Sequence, residues 1–538
     1  MRDLLHRIER LNEIGVALSG EPDHTRLLEI IVERARELTA ADGGTLYLVH
    51  ENRTVTFEIL RTASLGLALG GNTGEPIPFP ALALEVDGLP NESMVVTHAV
   101  LRRETVNIPD AYDAHGFDFS GTRAFDRRMD YRTQSLLTVP MCDHEGSVIG
   151  VLQLINAMDG DRVVSFEPSD QRLVESLASQ AAIALSNKRL LDQQRALFEA
   201  FVRMIAQAID DKSPYTGAHC RRVPDLTMML ADAAAATPQG PLGDFSMEAN
   251  DRYALWLAGW LHDCGKITTP EHVMDKSTRL ETVHDRIETV AARCAALRQE
   301  IRATAAGAIA AASARGDHAT ATELASERDR ELSDLAGDLA FLRAVNEGGE
   351  RMSASDRARV QRIAERHWTD ADGVAQPLLT DDEMNNLLIE RGTLNAEERR
   401  IIEHHVVATI DMLEALPFPK HLRNVTEYAA GHHERIDGRG YPNGLTRDEM
   451  SVPARAMAIA DVFEALSAAD RPYKRAKPLS ECLRIMRAMC DEGHIDPDLF
   501  DVFVRERVYW RYAREYLEPE QLDAVDPDTL LRAAVGRG

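Results

Sequence analysis

The sequence predicts a multidomain α+β chain. An N-terminal α/β domain, an antiparallel sheet with flanking helices, precedes an all-α domain that carries a helical hairpin insertion. Three observations lead there. Strand-like alternation broken by short polar turns is confined to the region from Gly44 to Ile155. From Asp210 onward the pattern is helical, with one alanine-rich interruption. The 538 residues amount to about three to four domains at roughly 150 residues each.

Composition narrows the function classes before any motif is read. Lys and Arg number 61 against 87 Asp and Glu, a net charge of −26, and 44% of residues are hydrophobic. Cores can form, and the acidity argues against coating long nucleic acids or anionic membranes, which need a basic footprint. No stretch offers about 18 uninterrupted apolar residues, so no membrane span is expected. The N-terminus, Met1 to His6, is charged and lacks the apolar core of a signal peptide. Six scattered cysteines form no CxxC pair, which fits reduced thiols and a cytoplasmic location.

Taken in order, residues 1–40 read as two helices, with Leu4, Leu5, Ile8 and Leu11 on one face, then Leu27, Leu28, Ile31, Val32 and Ala35 on another. Strands follow at Thr45–Val49 and Thr54–Leu60 around a turn at Glu51-Asn52-Arg53. Two more, Ser135–Met141 and Val148–Ile155, flank a turn at Asp143–Gly146. Asp170 to about Ala208 reads as one long helix that leaves the first domain and enters the second.

Residues 291–340 hold 17 alanines and no aromatic residue. Ile287, Val290, Cys294, Leu297 and Ile301 repeat at alternating 3 and 4 spacing, as do Leu332, Leu335, Leu339 and Leu342 after a turn near Arg315-Gly316-Asp317. This predicts an antiparallel helical hairpin with a buried seam, easily opened because alanines bury little area. The Met positions 228, 229, 457, 486 and 489, and Trp256 with Trp260, are expected in the core.

The candidate chemistry lies between His219 and Asp461. His262-Asp263 follows an apolar helical run, and adjacent imidazole and carboxylate can both ligate metal. Gly265 relieves crowding behind them, and Lys266, three residues after Asp263, can reach a phosphate. His432-His433, before a Gly- and Pro-rich loop, would need two hydrogen-bond solutions as buried core residues. Asp461 sits in the apolar run Ala458–Leu466, and a buried carboxylate is costly unless paired or ligated.

The N-terminal pattern resembles a GAF domain over roughly residues 12–190. The carrying residues are Asp130–Pro140, Gly146 to Gln153, Asn156, Phe166 and Asp170. Cyclic-nucleotide-binding GAF domains carry Lys and Glu where Ala157 and Gln171 stand here, so the resemblance implies either a fold signature or a sensor pocket for a small ligand. The C-terminal motifs resemble the HD-GYP family of HD-superfamily metal-dependent phosphohydrolases. His262-Asp263 with Gly265-Lys266 is similar to its HDxGK motif, His432-His433-Glu434 through Gly440-Tyr441-Pro442 to HHExxDGxGYP, and Asp470-Arg471-Pro472-Tyr473 to its DRPY segment. Residues 431–480 hold eight Lys and Arg against seven Asp and Glu, a local balance unlike that of the whole chain.

That resemblance implies a cyclic di-GMP phosphodiesterase yielding pGpG or GMP, with another cyclic dinucleotide or a non-enzymatic receptor as rivals. It also implies metal ligands His219, His262, Asp263, His405, His432, His433 and Asp461. His404 competes with His405, and spacing to Met412-Leu413 favours the latter. Two divalent ions are expected, bridged by Asp263. Fe or Mn suits the mixed N/O set, Zn or Ni is admissible, and Tyr215 in place of a carboxylate disfavours a third ion. Gly440, Tyr441, Pro442, Lys266, Arg471 and Lys474 are the substrate-binding candidates, with Asp263 and Lys266 catalytic; Arg439 is a weaker one. The expected layout is a GAF sensor at 1–190, a signalling helix at 191–209 and an HD-GYP domain at 210–520 with a hairpin insertion at 278–392, assembled as a homodimer through the long helix.

Overall fold

The computed structural model describes residues 2–212, 219–238, 240–349, 351–468 and 476–531. The chain divides into two compact units, 1–198 and 199–538.

The N-terminal unit opens with helices α1 (Arg2–Gly20) and α2 (His24–Thr39). Asp23 caps α2 by accepting from Arg26 N, which satisfies a backbone donor that the first turn cannot. Strands β1 (Ala41–Val49), β2 (Thr54–Thr62) and β3 (Leu67–Gly70) lead to helix α3 (Val95–Arg102) and strand β4 (Val106–Ile108). Helix α4 (Ser120–Met129) then precedes β5 (Leu136–Cys142), β6 (Val148–Asp159) and the short β7 (Arg162–Val164). The sheet order is β3-β2-β1-β6-β5-β4, every pair antiparallel, with β7 added beside β6.

Alternation along the strands sorts the two faces. Leu46, Ile59, Leu137, Val139, Leu152 and Leu154 pack with Leu27, Leu28, Ile31, Val32 and Ala35 of α2 and with Val174, Leu177 and Ala181 of helix α5 (Pro168–Lys212). Tyr47, Val55 and Val151 face the other way, against Val96 and Val100 of α3. The expected long helix is thus two residues longer at its start and four at its end. It is a single helix of 45 residues.

The C-terminal unit is mainly helical. Helix α6 (His219–Ala235) packs on α7 (Ala249–Leu261), where Gly259 lets Pro224 approach; a Cβ there would lie 3.0 Å from Pro224 Cα. A five-residue 3₁₀ turn, Cys264–Thr268, and the short α8 (Glu271–Met274) follow. Helices α9 (Ile287–Ala314) and α10 (His318–Asn346) form the hairpin, and Asp317 caps α10 through Thr320 N. The seam residues Ile287, Val290, Cys294, Leu297, Ile301, Leu335 and Leu342 are buried, whereas between Ile301 and Leu335 only Ala312 is.

The insertion is more than a hairpin. It adds α11 (Ala354–Ala364), strands β8 (His367–Thr369) and β9 (Ala375–Pro377) and α12 (Asp381–Leu387), and it shares a core that includes Val360, Ile363, Leu378 and Leu387. The extra elements escape a heptad search because each is too short to show a period. Its ends meet: Thr393 Oγ1 donates to Lys276 O at 3.0 Å, and Lys276 Nζ reaches both Glu398 oxygens at 2.8 Å. Helices α13 (Ala396–Glu414), α14 (Val425–Ala430), α15 (Val452–Ser467), α16 (Leu479–Asp491), α17 (Pro497–Arg505) and α18 (Val508–Tyr516) complete the unit. Met457 and Met486 are buried as expected, while Met228, Met229 and Met489 are only half-buried. Among the described residues, no helix is long and apolar enough to cross a membrane.

Candidate metal centre

Five separate segments bring their polar ends to one point. His219 begins α6, His262 and Asp263 follow α7, His405 lies in α13, His432 and His433 lie in the 3₁₀ turn after α14, and Asp461 lies in α15. Gly265 permits this convergence. Its Cα packs so close to α13 that a Cβ would collide with the His405 carbonyl and sit 2.6 Å from Thr409 N. Thr409 closes the joint by accepting from Gly265 N at 2.9 Å and donating to His262 O at 3.1 Å.

The three core imidazoles share one local geometry. Nδ1 of His262, His405 and His432 donates to the carbonyl three residues earlier, Gly259, Ile402 and Ala429, at 2.7, 2.5 and 2.6 Å. Each ring's lone pair is thereby left on Nε2, aimed inward. These Nε2 atoms stand at 3.2, 3.3 and 3.8 Å from an Asp263 carboxylate oxygen, and His219 Nε2 stands at 3.2 Å. Asp263 divides them: Oδ2 faces His219, His262 and Lys266, while Oδ1 faces His405 and His432.

A neutral Nε2 and a carboxylate oxygen are both acceptors, so close approach without a cation is repulsive. Accordingly, Nε2 of His219, His262, His405 and His432 and Oδ1 of Asp263 are all buried with no hydrogen-bond partner. Orphaned buried polar atoms are rare in folded proteins and require an explanation. Two groups within coordination reach, His219-His262-Asp263 and His405-His432-His433, supply the mixed imidazole and carboxylate set that suits first-row divalent ions.

Electrostatics agree with this reading. Burial, reinforced by His433 and His262, pushes His432 well below its ordinary pKa, and burial pushes His433 down to about 4, so both rings keep free lone pairs. Burial acts to raise Asp263, but Lys266 and His262 hold it well below the carboxylate range. Burial likewise acts to lower His219, yet Glu464 at Nδ1 and the acids at Nε2 hold it well above, so of the four rings this one carries a proton on Nε2 toward Asp263 and Asp461 when no other cation is bound. The pocket's acids require positive charge, which a proton or a metal ion can supply.

Glu464 was not visible as a site residue in the sequence. It is buried, accepts from His219 Nδ1 at 2.5 Å and pairs with Arg222 at 2.6 Å, fixing the ring whose Nε2 lies 3.3 Å from Asp461 Oδ1. The signal available was a second acid, one helical turn after Asp461, inside an apolar helix. Lys266 Nζ pairs with Asp263 Oδ2 at 2.6 Å.

In the loop after His433, the motif acids build structure. Glu434 is buried and accepts from Asn443 N and Leu445 N, at 2.7 and 2.9 Å. Gly440 packs on Glu434 with no room for a Cβ, and Tyr441 precedes a cis Pro442. The Tyr441 ring stacks on His433 at 4.9 Å. Arg439 is exposed, as is His404, while His405 is buried. Tyr215, Arg471 and Lys474 lie outside the described residues. Trp260 is buried and Trp256 half-buried, with the Arg203 guanidinium over both rings.

The comparisons with known proteins agree with both halves. A family model described as GAF domain matches residues 23–185, and one described as HD domain matches residues 380–499. The chain therefore carries a GAF domain followed by an HD domain. The HD match begins at residue 380, within the last part of the insertion, so it takes in His405, His432, His433 and Asp461 but not His219, His262 or Asp263. A 3′3′-cGAMP-specific phosphodiesterase 1 of Vibrio cholerae is 41% identical over 119 residues, covering 22% of this chain and 27% of that protein. A cyclic di-GMP phosphodiesterase of Pseudomonas aeruginosa is 43% identical over 81 residues, covering 15% of this chain and 19% of that protein. One from Thermotoga maritima is 33% identical over 121 residues, covering 22% and 32%. These matches span less than a third of each relative's length.

In the GAF unit the motif residues serve the fold. Asn156, at φ 56°, accepts from Gln134 N and donates to Tyr131 Oη and Arg132 O. Phe166 is core, and Asp170 Oδ2 accepts from Glu167 N at the start of α5.

Proposed function

We propose that this GAF–HD protein is a metal-dependent phosphodiesterase that hydrolyses cyclic di-GMP to pGpG or GMP under control of its GAF unit. The observation that carries the reading is the convergence of four orphaned imidazole nitrogens on the two oxygens of Asp263. His219, His262 and Asp461 would hold one divalent ion, His405, His432 and His433 a second, with Asp263 between them. Iron or manganese is the first choice. Bound there, the ions would supply Lewis acidity and a water of lowered pKa.

The chain's own residues do the rest. Glu464 and the carbonyls of Gly259, Ile402 and Ala429 orient the rings. Lys266 stands beside Asp263 and would meet a phosphate there, and Tyr441 with Gly440 and Pro442 walls the His433 side. Arg471 and Lys474 would take the second phosphate. Relatives named for 3′3′-cGAMP and for cyclic di-GMP support a cyclic dinucleotide and favour testing both.

The protein acts in the cytoplasm, which six free cysteines support, and dimerises through α5. Ile183, Leu190, Leu197 and Met204 recur every seven residues there and are all at least half exposed.

The test is turnover of cyclic di-GMP and 3′3′-cGAMP by protein loaded anaerobically with Fe(II) or Mn(II). Hydrolysis of cyclic di-GMP is expected. Full metal loading with binding of either nucleotide but no cleavage would make the chain a receptor instead.

A further inference from the structure

The last ten residues of α5 touch the segments that carry the candidate ligands. The Arg203 guanidinium lies 5.1 Å from the Trp256 ring centre and 6.0 Å from that of Trp260, on the helix that ends at His262. Asp210 Oδ1 accepts from Cys220 N at 3.2 Å, beside His219. Lys212, the final residue of α5, donates from Nζ to three carbonyls, Lys266 O at 3.1 Å, Ile267 O at 2.7 Å and Thr269 O at 2.5 Å. An ammonium has three N–H donors, and here all three have a partner.

These carbonyls lie at the end of the 3₁₀ turn Cys264–Thr268, where backbone acceptors are left over and a cation is favoured; Lys266 O also accepts from Thr269 N at 3.1 Å. The turn begins at Asp263 and carries Lys266. It is therefore clamped from two sides, by Thr409 at Gly265 and by Lys212 at the far end. Lys212 touches no candidate ligand itself.

We propose that Lys212 is a positioning residue that holds Asp263 and Lys266 in register with the imidazoles of α13 and of the turn after α14. The inference rests on the phosphodiesterase reading for its kinetic readout, but not for its spectroscopic one.

The test compares full-length wild type with Lys212→Met, which keeps length and removes the donors, and Lys212→Arg, which restores them. Each is loaded with Co(II) and measured for ions per chain, visible absorption bands, melting temperature and steady-state kinetics on cyclic di-GMP. Lys212→Met should bind the same number of ions with shifted bands. Its kcat should fall about 10- to 100-fold with KM unchanged, the scale expected from a small misplacement of reacting groups. Lys212→Arg should recover bands and rate. A Lys212→Met protein with wild-type bands and rate would overturn the proposal. So would one that loses metal and melting temperature together without rescue by Arg, because the role would then be merely structural. If wild type loaded with Fe(II) or Mn(II) also cleaves nothing, the phosphodiesterase reading fails while the Co(II) band comparison still decides Lys212.

Discussion

The two units bury polar groups in opposite ways. In the GAF unit, Asp126 accepts from Tyr112 Oη, Thr133 N and Thr133 Oγ1, Asn156 makes three side-chain bonds, and Arg61 pairs with Glu29 at 3.0 Å. Unsatisfied buried atoms among its described residues, Arg36 Nε and Gln180 Oε1, stand apart from these networks. In the HD unit, four imidazole nitrogens and a carboxylate oxygen are orphaned within a few ångströms of one another. Satisfied polar groups specify a fold, whereas converging unsatisfied ones mark a place where something else must bind.

The contrast can be broken, beginning with the largest effect. Asp263→Ala should abolish turnover and lower metal content, as should His262→Ala; retained activity with either would remove Asp263 from the centre. Glu464→Gln should weaken metal affinity or activity about 10- to 100-fold, as loss of a group that orients a ligand does. Metal titration of the variant measures this, and an unchanged affinity would reduce Glu464 to an ordinary buried acid.

The HD unit also holds a fully partnered buried acid outside its centre. Asp496 is buried, caps α17 and pairs with Arg447 at 3.0 Å and with Arg455. Asp496→Ala should destabilise by about 3–5 kcal/mol at neutral pH, read from urea unfolding. Burial acts to raise its pKa, but the two arginines hold it below the ordinary value. Its contribution is therefore complete above the unfolded pKa of about 3.9 and is lost as pH falls through the folded one. The gap between wild type and Asp496→Asn should shrink accordingly in acid.

In the GAF unit, Asp126→Ala should cost about 1–3 kcal/mol by stranding Thr133 N, with metal content unchanged. The smallest effect should be His432→Leu in metal-free protein, a loss of about 0.5–1.5 kcal/mol from the Nδ1 bond to Ala429 O, with nothing lost at Nε2, which has no partner. A large destabilisation there would show that the imidazole serves the fold after all.

Much of the centre was legible in the sequence because its residues are chemically costly where they stand. His262-Asp263, His432-His433 and Asp461 sit in or beside apolar helical runs, where burial demands a partner. Glu464 and Thr409 were not legible, since one Glu and one Thr in a helix have many uses. The insertion was seen as its hairpin alone, for α11, α12 and the β8–β9 ribbon are too short for periodicity to reveal.

By itself, the sequence determined the element types, the order of the motifs and the chemical character of the ligands, because periodicity and local composition act within a few residues. The tertiary structure decided which Asp263 oxygen faces which imidazoles, that Glu464 fixes His219, and that α5 ends on the carbonyls behind Lys266. It also assigned Asn156 and Phe166 to the GAF fold. These are contacts between segments tens to hundreds of residues apart, such as the 245 separating His219 from Glu464, and packing brings them together.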